Sequence, residues 1–340
     1  MKSDLDVNRR LKRNIRPDGL DKKNSEIREE CQLALDILRR GKDHQAHSHK
    51  FPAGSDCVEN FSDLTRIYLS ILGISETAAT TMLQICADDW IFQFDDIGNA
   101  GYFLDTDEHI IWIDNFGMDA PSLAQSDYFF NVLMMNILRG MRDAWQDARW
   151  ANATKIYHPE ALLMLEKIRA ADSDIMALYF ADELAVKGHD SSIRHLSASE
   201  DAALARDFAS REHNRNVRAA SAFRGWFTDT KRVDACDHET LCYLDTILGD
   251  VERGNPFGRG RLTPIEIVRM GCLPDGSSYL AGYGEAVLRD PIFSGLTDPI
   301  NQAHYYHLVR DMESYNVNGV PFRSPKLAAR IFPEETVIQE

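Results

Sequence analysis

The sequence predicts an α+β fold: a mainly helical domain with a small antiparallel sheet whose hairpin precedes one long helix. Three observations predict it. Trp90–Phe94, Tyr102–Leu104 and His109–Ile113 are short runs rich in aromatic and β-branched residues, as strands are. Gly98-Asn-Ala-Gly101 and Asp105-Thr-Asp-Glu108 supply turns between them, so the last two runs form a hairpin. Nearly everything after Pro121 places apolar residues at helical spacing, and no internal repeat is present.

Taken in order, residues 1–24 are polar, with a turn at Pro17-Asp18-Gly19, and read as a flexible arm. A helix is expected from Ser25 to about Arg40, then a linker holding His44, His47 and His49. Helices follow over Phe61–Leu72, closed by Gly73, and from an N-cap at Ser75 to about Asp88. The helix through Arg139 starts near Ser122 or Ser126. His158-Pro159 opens another, with proline at the first helical position, and Asp172 or Ser173 restarts a third. Ser197-Ala-Ser-Glu200 reads as a capping box for a long helix towards Trp226, and Thr263-Pro-Ile-Glu266 as a second box, closed by Gly271. Helices are also expected over Asp237–Leu248 and 299–314, with loops at 254–264 and 271–284.

The net charge of −15 argues against a nucleic-acid binder and gives no reason for an anionic membrane partner. The charge is uneven: residues 1–50 hold 13 Lys/Arg and 9 Asp/Glu, a net of +4, which leaves −19 for residues 51–340. No stretch reads as a secretory signal or a membrane span, and six scattered cysteines suit reduced thiols, so a cytoplasmic protein is expected.

The long helix carries a polar cluster, Arg139, Arg142, Asp143 and Gln146, within Arg139-Gly-Met-Arg-Asp-Ala-Trp-Gln146. Hairpin, then this helix, resembles a family of bacterial metallopeptidase domains of otherwise unassigned function, zincin-like in fold. In that family a Gly-Tyr-Tyr-type hairpin precedes a helix reading H-E-x-R-H-A-W-Q, and a later helix carries Glu-Ala-Asp-Ala followed by an E-L pair. Here Gly101-Tyr102-Phe103-Leu104 stands for the hairpin, and Arg142, Ala144, Trp145 and Gln146 match the helix. Ala170-Ala-Asp172-Ser-Asp174 continues to Glu183-Leu184. The resemblance spans roughly residues 90–190 and implies a zincin-like core at 51–230, with 1–50 as arm, helix and linker and 231–340 as a helical region packed on the core.

It also implies where zinc chemistry belongs, and there this chain departs. Two histidines at i and i+4 grip zinc while a glutamate acts as base, and a third ligand comes from the later helix. Those positions hold Arg139, Asp143, Gly140 and Ala170. Arginine stays protonated and offers no acceptor, and glycine has no base. The expectation is a degenerate, non-catalytic site with no metal or other cofactor, in a binding or structural protein. A polypeptide along the hairpin edge is the candidate partner. The alternative is an active metal-dependent hydrolase that uses zinc through relocated ligands among His109, His158, His189 and His195.

For Arg139 two readings stand side by side. Its guanidinium replaces the cation and bridges Asp143 to Asp172 or Asp174, or it forms an exposed pair with Asp143. Elsewhere, Cys236-Asp-His238 with Cys242 has a metal-like spacing but reads as a helix face, and His304 and His307 as packing or surface residues. Gly254–Gly260 is a plain loop, and Asp105, Asp107 and Glu108 are turn residues rather than a calcium loop.

Overall fold

A computed structural model describes residues 58–98, 101–150, 152–209, 212, 214–249, 255–312, 315–317, 320–322 and 330–331. The expected arm, the helix from Ser25 and the histidine-bearing linker lie outside these residues. The fold is mainly helical α+β, with one small mixed sheet near the start of the described chain. No described helix is long and apolar enough to cross a membrane, and Cys86, Cys236, Cys242 and Cys272 form no disulfide.

Helices α1 (Phe61–Leu72) and α2 (Glu76–Ala87) lead into the sheet, capped by Asn60 and Ser75, whose side chains accept from the backbone N–H of Asp63 and Ala78. Strands β1 (Ile91–Asp95), β2 (Tyr102–Asp105) and β3 (Ile110–Asp114) follow. The hairpin is as expected: β2 and β3 pair antiparallel, Tyr102 opposite Ile113, and Asp105 Oδ1 accepts from the N–H groups of Asp107 and Glu108 in the turn. The sheet is not wholly antiparallel. β1 runs parallel to β3 in the order β1-β3-β2, because the hairpin leaves only one edge of β3 to fill and β1 enters it in the same direction.

After α3 (Ala120–Gln125), the motif helix α4 (Asp127–Arg149) starts at Ser126, whose hydroxyl accepts from Phe129 N. A short turn, α5 (Ala153–Ile156), leads to α6 (Pro159–Val186), one unbroken helix of 28 residues capped by His158. The expected restart at Asp172 or Ser173 does not occur. Both lie in mid-helix and fully buried, because partners on other elements satisfy their polar groups. The expected helix from Ser197 is instead three: α7 (Ser191–Ala198), α8 (Ala202–Phe208) and α9 (Arg215–Trp226). Ser197 sits inside the first, its hydroxyl spent on Ile193 O.

The remainder is α10 (Thr230–Gly249), α11 (Pro264–Met270), α12 (Gly284–Arg289), α13 (Pro291–Ser294) and α14 (Pro299–Met312), then a strand pair, β4 (Tyr315–Val317) and β5 (Val320–Phe322), that sequence reading missed. The Thr263–Glu266 capping box is present on both sides. One apolar core runs from Val58 to Met312 and takes side chains from α10 to α14 as well as from the sheet and the motif helix.

Two contacts set the spacing of this core. At Gly140 the motif helix lies so close to the sheet that an added Cβ would stand 2.5 Å from Ile111 Cγ2 and 3.3 Å from the Tyr102 ring. Glycine there is a packing requirement. Farther along, Lys167 of α6 and Asp237 of α10, both fully buried, pair at 3.1 Å, and Lys167 Nζ also donates to Gly295 O at 3.1 Å. Burial pushes the Asp237 carboxyl up to about 6, against the opposing pull of Lys167.

Gly140→Ala is expected to lower stability by about 1–3 kcal/mol in urea unfolding, the usual cost of overpacking. Asp237 has its folded pKa raised, so its contribution is fully present below the unfolded value of about 4 and is lost as pH rises through about 6. Stability measured between pH 4 and 7 should therefore fall less steeply with rising pH in Asp237→Asn than in the unaltered protein.

Candidate functional site

The polar residues of the motif helix are not a solvated face. Arg139, Arg142, Asp143 and Gln146 are all buried, Arg142 and Gln146 completely. Buried polar groups need partners, and these find them on α6 and on elements that sequence spacing does not link to the motif. Three groupings result.

The first surrounds Asp172. Its carboxylate accepts from Arg142 Nε at 2.5 Å and Nη2 at 3.2 Å, from Gln146 Nε2 at 2.5 Å and from the Tyr279 hydroxyl at 2.6 Å. Arg142 Nη2 donates onward to the carbonyls of Met270 and Cys272, at 2.7 and 2.9 Å, where α11 ends. Its guanidinium lies 4.0 Å from the centre of the Trp145 ring, and the Trp145 indole donates to Gln84 Oε1 at 2.6 Å. Burial, and then the Asp172 carboxylate, push the Tyr279 hydroxyl well above its usual range, so it remains a donor.

The second grouping is a ring of two guanidiniums and two carboxylates. Arg139 reaches Asp174 Oδ1 at 2.7 Å and Asp201 Oδ2 at 2.6 Å. Arg232, from α10, reaches Asp174 Oδ2 at 3.0 Å and Asp201 Oδ1 at 2.8 Å. The Trp226 indole adds a hydrogen bond to Asp174 Oδ2 at 2.9 Å. Burial pulls the Arg232 pKa down, but Asp174 and Asp201 outweigh it and hold it above its ordinary value. The four charges cancel, which lets the cluster sit away from water. In the third grouping Asp143 accepts from the Tyr102 hydroxyl at 2.6 Å and from the Ser173 hydroxyl.

The bridging reading of Arg139 holds for Asp174 and is corrected for Asp143 and Asp172, and the exposed-pair reading is corrected. It does not meet Asp143, and it is not exposed. It lies buried between Asp174 and Asp201, while Arg142 takes Asp172. The i,i+4 spacing permits a pair with Asp143, but two carboxylates on other elements lie in the guanidinium's path and Asp143 is taken by hydroxyls. Tyr102, Ser173, Asp201, Arg232 and Tyr279 were missed. Of these, Tyr102 and Ser173 stood inside quoted motifs; the other three carried no local signal.

The residues at the implied zinc positions do not fit zinc. Arg139 brings a positive charge, Gly140 presents its backbone to Ile111, Asp143 is one carboxylate already holding two hydroxyls, and Ala170 offers only a methyl group. Of the histidines considered as relocated ligands, His109, His158 and His195 make contacts with neighbouring residues. His109 stacks on Trp90 with centroids 5.0 Å apart and contacts Asp88 O, and His158 caps α6. His189 follows α6, bonding through its backbone N–H to Leu184 O. His195 packs edge-on against Tyr128, its pKa lowered mainly by burial, with Arg139 adding to this and Asp201 opposing it. Among the described residues the group of ligand-type side chains close enough for one ion is a different one, His238, Cys242 and His304. Cys236, His238 and Cys242 all lie on α10, and the expected buried face is partly borne out, with Cys236 and Cys242 half-buried and His238 exposed; His307 is exposed, as expected.

One concave feature adjoins the motif. A cleft of about 280 Å³ lies between Leu104 of β2, Trp150 just past the end of α4, and the walls of α6 (Leu162, Glu166, Arg169) and α10 (Tyr243, Leu244). β2 is an edge of its sheet. Comparison of the chain with protein-family models, with curated proteins and with solved structures finds no match.

Removing one partner of a buried pair strands the other charge. Arg142→Ala is thus expected to cost about 3–5 kcal/mol in urea unfolding. Arg139→Ala should destabilise as well, because Arg232 alone leaves one negative charge of Asp174 and Asp201 uncompensated. Unchanged melting of Arg139→Ala would show that the ring contributes nothing to stability.

Proposed function

We propose that this chain is a metallopeptidase-like protein whose zinc site is degenerate and non-catalytic, and that it acts as a binding protein for extended polypeptide. The observation that carries the reading is the Arg139 guanidinium, held between Asp174 and Asp201 beside the helix that the resemblance assigns to zinc. A fixed positive charge there repels a metal ion, and both carboxylates are already paired with guanidiniums. What a metal does in joining the motif helix to its neighbours, the two arginines do here.

The cleft beside β2 supports the binding half of the reading. Its volume of about 280 Å³ falls at the lower end for small-molecule pockets, roughly 300–1,000 Å³, and suits one or two side chains better than an enclosed substrate. An edge strand next to such a cleft can take an added strand, its backbone hydrogen bonds giving affinity and the cleft selecting a side chain. Leu104 belongs to both the strand and the cleft wall.

The test uses the full chain without an affinity tag, supplied with zinc and a fluorescently labelled, reduced and carboxymethylated polypeptide. Binding without cleavage is expected, and Leu104→Asp should weaken it about tenfold by replacing the apolar side chain that strand and cleft share with a charge. Zinc-dependent cleavage of the polypeptide would overturn the non-catalytic reading, and equal binding by Leu104→Asp would overturn the placement at β2.

A further inference from the structure

We propose that His238, Cys242 and His304 form a binding site for a zinc-class divalent transition metal, bridging α10 and α14. One ligating atom from each of the three side chains lies within 4.8 Å of the others. His238 Nε2 and Cys242 Sγ are 3.7 Å apart. A zinc ion with bonds of about 2.3 Å to sulfur and about 2.0 Å to nitrogen holds those atoms roughly 3.5 Å apart along a tetrahedral edge. The longer spacings close by side-chain rotation of about 1 Å.

The placement follows from helix geometry. His238, Cys242 and Asp245 stand at i, i+4 and i+7, one stripe of α10, while Asp237, Leu241 and Leu244 turn the neighbouring stripe into the core. The second histidine arrives on α14, whose start is pinned against α10 by two contacts to Asp234. Thr297 Oγ1 donates to its carboxylate at 3.0 Å and Asn301 Nδ2 to its carbonyl at 2.8 Å. Asp245 contacts the His304 ring through Nε2, the carboxylate–histidine pairing that orients a metal-bound imidazole. Core packing does not account for the cluster, since His238 is exposed and Cys242 and His304 are only partly covered.

Donor chemistry sets the class of ion. Two imidazoles and a thiolate suit zinc, or cobalt as its spectroscopic substitute, and not magnesium or calcium, which take oxygen ligands. The site is independent of the motif helix and of the reading given to it above.

The experiment uses the untagged full chain carrying His44→Ala, His47→Ala and His49→Ala, which removes the competing histidines of the linker. After dialysis against excess zinc and then metal-free buffer, one equivalent should remain. Cys242→Ser and His304→Ala should each bind at least about tenfold more weakly, Asp245→Asn about 10–100-fold more weakly, and His307→Ala unchanged. Cobalt should give the absorption of a tetrahedral ion with thiolate charge transfer, lost in Cys242→Ser. Failure of the parent protein to retain zinc, equal affinity in Cys242→Ser and His304→Ala, or a cobalt spectrum without the thiolate band would each overturn the proposal. The parent's own cobalt spectrum decides the matter even where a variant fails to fold.

Discussion

A buried ion pair holds a structure together only when each charge is fully supplied with hydrogen bonds, because otherwise its desolvation outweighs its attraction. Asp172 meets that condition, and Arg142 meets it through Nε and Nη2 while its Nη1 has no hydrogen-bond partner among the described residues; the rest of the centre depends on the pair. Asp172 accepts from three different side chains, and Nη2 of the guanidinium donates onward to the carbonyl of Met270, the last residue of α11, and to that of Cys272 just beyond it. The motif helix, α6 and the loop bearing Tyr279 thus meet at a single carboxylate. The Arg139–Arg232 ring then repeats the principle one turn earlier on α4, adding α8 and α10.

Seen this way, the motif helix is shaped as much by what it must exclude as by what it binds. Gly140 lets it settle onto Ile111 and Tyr102, and Tyr102 in turn passes its hydroxyl to Asp143. Any side chain at position 140 would lift the helix from the sheet and stretch that hydrogen bond. Close packing and polar pairing are one arrangement here, not two layers.

The elements legible in the sequence were those whose signals are local. Ser75 and Ser126 cap their helices, Pro159 opens α6, the Thr263–Glu266 box closes on itself, and the hairpin turns where Asp105 accepts two backbone N–H groups. Illegible elements were decided by distant partners. Asp172-Ser-Asp174 reads as a helix break because such side chains usually compete for nearby backbone; in α6 they are claimed by Arg142, Tyr279, Arg139 and Trp226 instead. Ser197 and Glu200 look like a capping box, but Ser197 bonds backward to Ile193. The parallel pairing of β1 was equally hidden, since a strand's own residues do not fix the direction in which it enters a sheet. At the buried polar centre, the sequence named Asp172 and Asp174 as neighbours of the motif helix, yet could not choose between the two arginines or reveal Asp201 and Arg232, 62 residues away from Arg139 in the first case.

The unbroken course of α6 has a consequence for how the molecule opens. Along this one helix, Lys167, Asp172, Ser173 and Asp174 are each tied to another element by a buried polar contact. No turn in that span can come loose without stranding a charge or hydroxyl in the interior. Helices ordinarily fray from their ends with little cost, and their amides exchange with solvent through such small excursions. In α6 the middle turns have no small excursion open to them. Their amides exchange only when the surrounding helices depart together, so deuterium uptake there reports the global unfolding of the domain.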